Sequence, residues 1–212
     1  MIKSSLKFQI SKLFLLLFIF SYVSVFAADT LEENDFLFAK RAFSDGFYDL
    51  AKERLENFLS IYPQSTPRIY EAHLLLGRCF YYQNNLTRAI HEFDIVLNAR
   101  DGSGLEDEAL YWTGETYLKS QDPKRALEYY EKIIAGFPSS KILGYAVYSK
   151  GWCYYKLGLL EEAIRAFKEV VSGYPFDKIA IEAQFRIGEC EYLLRYIEWQ
   201  DATLSSVTII QA

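Results

Sequence analysis

Between Glu108 and Pro138 the chain reads EALYWTGETYLKSQDPKRALEYYEKIIAGFP. Apolar and polar positions recur at helical spacing on either side of Gln121-Asp122-Pro123, and the stretch stops at Phe137-Pro138. This predicts two amphipathic helices joined by a tight turn. The next stretch, Tyr145–Pro175, carries the same landmarks 37 residues later. Gly114 falls on Gly151, Ala126 on Ala163, Tyr130 on Phe167, Gly136 on Gly173, and Phe137-Pro138 on Tyr174-Pro175. The chain therefore reads as a repeat array.

The ladder extends both ways. Gly77 and Gly188 continue the glycine series, and Ala89 continues the alanine series. Five units follow, at about 32–66, 67–104, 105–140, 141–178 and 179–212. Turns within units fall at Asp45-Gly46, Asn84-Asn85, Gln121-Asp122 and Gly158. A mid-helix glycine costs about 1 kcal/mol against alanine, so its regular placement needs a cause. Close crossing of the two helices of one unit supplies it, with the second helix's alanine as the small partner. The expected fold is all-α: a right-handed superhelical solenoid of about five antiparallel helix pairs. After Tyr192 the pattern degrades. Ala202 sits two residues late, and Ser205–Ile210 is rich in β-branched residues. Either the fifth unit ends in a poor capping helix or the chain belongs to a longer array, and the second reading is preferred.

Residues 1–27 stand apart from the array. Lys3, Lys7 and Lys12 precede the apolar run LFLLLFIF (13–20), and Val25-Phe26-Ala27 places small residues at −3 and −1 of a cleavage site. This order matches a cleaved signal peptide, leaving 28–212 as the repeat domain and no membrane insertion after cleavage. The alternative is an uncleaved anchor, for which the run is short. The composition, 51% apolar, 24% charged and 17% aromatic, is that of a globular chain. A net charge of −5 argues against a nucleic-acid partner, which would select a basic face.

Candidate chemistry is sparse. His73 and His91 have no ligand partners at metal spacing, and there is no phosphate loop or nucleophile motif. No enzyme activity, cofactor or metal is expected. Cys79, Cys153 and Cys190 all lie two residues after a repeat glycine. Equivalent positions on stacked helices lie roughly 10 Å apart, whereas a disulfide needs Cα atoms within about 7 Å. The cysteines are thus expected to be small buried apolar residues.

Tyr/Trp-x-x-Gly-x-x-Tyr in the first helix, Ala with an aromatic four residues later in the second, and a terminal proline resemble the tetratricopeptide repeat. The resemblance covers about Glu32–Glu198. The 37-residue step and the Gly-Tyr-Pro and Gly-Phe-Pro exits are similar to repeats of exported bacterial proteins. Examples are the Tol-Pal-associated cell-division coordinator and the BamD-type outer-membrane assembly lipoproteins. The chain lacks the N-terminal coiled coil of the first and the lipidated cysteine of the second. The resemblance implies a non-enzymatic scaffold of the bacterial cell envelope, periplasmic or exported, that binds a protein or peptide segment in a concave groove lined by the first helices. The inward positions it implies are Arg78, Tyr82, Tyr111, Glu115, Lys119, Tyr148, Trp152 and Lys156. Periodicity supports the grouping, because Tyr111, Glu115 and Lys119 share one helical stripe and Tyr148, Trp152 and Lys156 another. Other readings are self-association through the C-terminal face, and a recruiting module within a larger outer-membrane, division or secretion system.

Overall fold

The computed structural model describes residues 30–63, 68–99 and 102–210, without the side chains of 201–210. The segment read as a signal peptide lies outside the described residues. Nine helices and no strands occur among the described residues: α1 (30–44), α2 (Tyr48–Ile61), α3 (Arg68–Tyr82), α4 (Leu86–Leu97), α5 (Glu106–Lys119), α6 (Pro123–Gly136), α7 (Leu143–Lys156), α8 (Leu160–Gly173) and α9 (Lys178–Ile210). Among them, no helix is long and apolar enough to cross a membrane. The chain divides into two compact units, one ending at Gln83 and one beginning at Asn84.

The first unit holds α1, α2 and α3. Phe36 of α1 packs on Phe58 of α2 with ring centroids 5.1 Å apart, and both side chains are buried. Ala51 and Leu55 of α2 and Ala72, Leu76 and Phe80 of α3 are buried as well. Arg68 ties α3 to α1 through Glu32 at 2.7 Å and through Glu33, and Lys40 reaches Glu71 at 2.6 Å.

The second unit holds α4 to α9, and each helix packs against the next. Tight turns are possible because one residue in each adopts a left-handed backbone. Asn84, Gln121 and Gly158, spaced 37 apart, have φ of 62°, 62° and 76°. Asn85 and Asp122 then cap the helices that follow by accepting from the backbone N–H of Arg88 and Arg125. The expected turns are all present.

The glycine ladder has a more specific cause than a close alanine. A Cβ on Gly114 would lie 2.7 Å from Tyr130, and one on Gly151 would lie 2.6 Å from Phe167. The aromatic ring of the second helix, not its alanine, fills the space the glycine leaves. Ala126 and Ala163 are fully buried one turn away. Gly188 breaks the rule, with nothing within 4 Å of its would-be Cβ.

Gly188 is empty because, among the described residues, no second helix folds back onto it. In place of a fifth hairpin, Lys178–Ile210 runs as a single 33-residue helix. The equivalent of Asn84, Gln121 and Gly158 is Arg195, which is neither glycine nor asparagine and is followed by Tyr196 rather than by a capping Asn or Asp. With no residue suited to a left-handed turn and no cap behind it, the helix continues. Ile179, Ala183, Ile187 and Cys190 close the core of Val147, Phe167 and Val170.

Gly151→Ala is expected to lower stability by about 1–2 kcal/mol, overpacking outweighing the gain in helix propensity, because the fully buried Phe167 ring cannot retreat. Gln121→Gly should raise stability by about 1 kcal/mol by relieving a left-handed non-glycine residue. Urea unfolding measures both.

Candidate functional site

Three first helices of the second unit, α5, α7 and α9, line one open cavity of about 560 Å³. α5 contributes Tyr111, Glu115 and Leu118. α7 contributes Tyr145, Tyr148, Ser149, Trp152 and Lys156, and α9 contributes Lys178, Ile179 and Glu182. Five of the eight residues named from sequence therefore meet at one place.

The floor is organised by Glu115. Its Oε1 accepts from the Tyr130 hydroxyl of α6 at 2.8 Å and from the Ser149 hydroxyl of α7 at 2.7 Å. One carboxylate thus pins three helices. Burial, and then the charge and hydrogen bond of Glu115, push the Tyr130 phenol well above the usual tyrosine range. Cys153, buried nearby, is pushed up to about 12, chiefly by desolvation. All three cysteines are buried thiols, as their register implies.

The wall is aromatic with charged edges. Tyr148 packs on Phe167 at 5.4 Å, and Trp152 meets Tyr155 edge-on at 5.4 Å. The Arg186 guanidinium of α9 lies over the Trp152 ring at 4.5 Å, with Lys156 at 6.0 Å. The indole is thereby held by two cation–ring contacts, the shorter from Arg186. Positive charge at Lys156 and Lys178 is matched by Glu115 and Glu182, so the cavity favours no single sign of ligand.

The other three named residues lie elsewhere. Lys119 is exposed at the end of α5 and does not line the cavity. Arg78 and Tyr82 belong to the first unit, where Arg78 covers the Phe43 ring at 4.6 Å and Tyr82 stacks on Tyr48 at 4.4 Å. Sequence reasoning missed Tyr145, Lys178, Glu182 and Arg186. Tyr145 and Glu182 were within reach of the repeat, being 37 apart and one turn before Tyr148 and Phe185. Arg186 carried no such signal, because its place over Trp152 depends on how α9 packs. Among the described residues no three His, Cys, Asp or Glu side chains gather as a metal site.

Residues 36–103 match the tetratricopeptide repeat family model, and residues 103–170 match that of anaphase-promoting complex, cyclosome, subunit 3. No curated protein sequence matches the chain. Among solved structures, the nearly identical TPR-like repeats of a Podosopora anserina protein assigned as a kinesin light chain align with a TM-score of 0.63 at 16% identity, over 85% of this chain and 94% of that one. MamA residues 41 to the end, from Desulfovibrio magneticus, give 0.58 at 21% identity over 78% and 96%. YrrB, described as a TPR protein with an unusual peptide-binding site, gives 0.55 at 20% identity over 76% of each chain.

Tyr130→Phe is expected to cost about 1–3 kcal/mol by leaving Glu115 short of a buried donor. The folded state holds the Tyr130 proton to higher pH than the unfolded chain does. Its contribution is therefore whole below pH about 10 and is lost as pH rises beyond that. Unfolding curves from pH 8 to 11 should show a flatter alkaline limb in the Tyr130→Phe variant.

Proposed function

We propose, from the premise that this chain is a tetratricopeptide-repeat protein, that it is a binding scaffold of the bacterial cell envelope. It grips an extended or helical protein segment in the α5–α7–α9 cavity and carries out no chemistry of its own. The observation that supports this most is the wall of Tyr111, Tyr148 and Trp152 held in fixed orientations by Arg186 and the Glu115 cluster. Aromatic rings that are already positioned lose little entropy on binding, and Tyr, Trp and Arg are the residue types that dominate binding energy. YrrB, of similar fold, has a peptide-binding site. Placement in the envelope, periplasmic or exported, rests on residues 1–27, whose lysines, apolar run and Val25-Phe26-Ala27 have the order of a cleaved signal peptide.

Trp152→Ala is expected to weaken capture of the partner from envelope extract by about 30-fold or more, with helicity unchanged by circular dichroism. Equal capture by wild type and variant would exclude this cavity. N-terminal sequencing of the protein from its native cell should begin at Ala28, and a retained Met1 would instead support an anchored chain.

A further inference from the structure

The outward face of α9 carries large apolar side chains in the open. Ile181 is 75% exposed, Phe185 62%, Tyr192 70% and Trp199 63%. With Gly188 and Arg195 they form one stripe at spacings of 4, 3, 4, 3 and 4, opposite the buried face of Ala183, Ile187 and Cys190. That is the narrow seam of a two-helix contact. It runs about 27 Å along the helix.

An ordinary second helix of a further repeat does not suit this face. In α5 and α7 the surface that meets the second helix includes Leu110 with Tyr117 and Val147 with Tyr154. The equivalents in α9 are Gln184 and Glu191. Half of the broad apolar face has become polar, and only the seam remains.

We propose that the occupant of the seam is α9 of a second copy, packed antiparallel. In that arrangement residues whose numbers share one sum lie opposite each other, and the stripe matches itself. Tyr192 of each copy falls on Gly188 of the other, as Tyr130 falls on Gly114 and Phe167 on Gly151 within the chain. Arg195 falls on Phe185, the guanidinium-over-ring pairing already made by Arg186 on Trp152 at 4.5 Å. Ile181 falls on Trp199. Three layers, each used twice by the two-fold symmetry, make an isologous interface. The acidic Glu189 beside the seam is already paired to Arg186 at 2.5 Å in its own helix. The glycine that is idle in one copy thus takes its usual aromatic from the other. The cavity takes Lys178, Ile179 and Glu182 from the start of α9, none of them on the seam, so the two surfaces share the helix but no residue.

The test is sedimentation equilibrium of protein purified from cells expressing all 212 residues. A dimer is expected at tens of micromolar. Phe185→Glu with Tyr192→Glu should weaken it by at least about 100-fold with helicity unchanged by circular dichroism, both side chains being largely exposed and Phe185 meeting only the Arg186 guanidinium of its own helix among the ring contacts, at 5.2 Å. Phe176→Glu, at a fully exposed apolar position off the seam, should leave it unchanged. A wild-type monomer, an open-ended polymer, or a double variant that dimerises normally would overturn the proposal. So would a monomer whose seam binds a synthetic peptide of residues 160–173, the α8 sequence, because the face would then belong to a second-type helix.

Discussion

Everything in the second unit depends on an aromatic ring seated where a glycine has no side chain. Tyr130 rests on Gly114 and Phe167 on Gly151, closer than any Cβ would permit. The seat lets two helices cross at short range and buries a large ring completely. It also fixes the rotation of α5 and α7 about their own axes. That rotation decides which side chains face the opposite way, into the cavity.

The cavity follows from this geometry. With Gly114 turned toward α6, Tyr111 and Glu115 share a face that meets α7, and Glu115 collects the hydroxyls of Tyr130 and Ser149. One ring therefore serves twice: its body fills the glycine seat and its hydroxyl anchors the floor of the site. Packing and the shape of the cavity are coupled through Tyr130. The Phe167 ring has no hydroxyl, and the corresponding order around α7 comes instead from Arg186 lying over Trp152.

The tail illustrates how little is needed to open a hairpin. Helix pairs here depend on a left-handed residue and a capping Asn or Asp, or a glycine, at a fixed place. Arg195-Tyr196 supplies neither, so the hairpin opens into one long helix. The same change leaves Gly188 without its ring and turns a repeat's inner face into an outer one.

The amino-acid order by itself determined the helices, their turns and the existence of the array, because these follow from short-range rules: apolar spacing, caps, and the glycine and alanine ladders at a 37-residue step. Tyr111, Glu115, Tyr148, Trp152 and Lys156 were legible as residues of one face, and so of the cavity they line, for the same reason, since each is fixed by its phase within a repeating helix. Only the tertiary structure decided that the ring, rather than the alanine, fills the glycine seat. It also decided that Arg186 completes the wall and that Lys119 stays outside. Those outcomes depend on distances between helices, which periodicity does not encode. The straight run of α9 lay between the two: its cause is local, at Arg195, but its effect on Gly188 is visible only when the missing neighbour is sought in space.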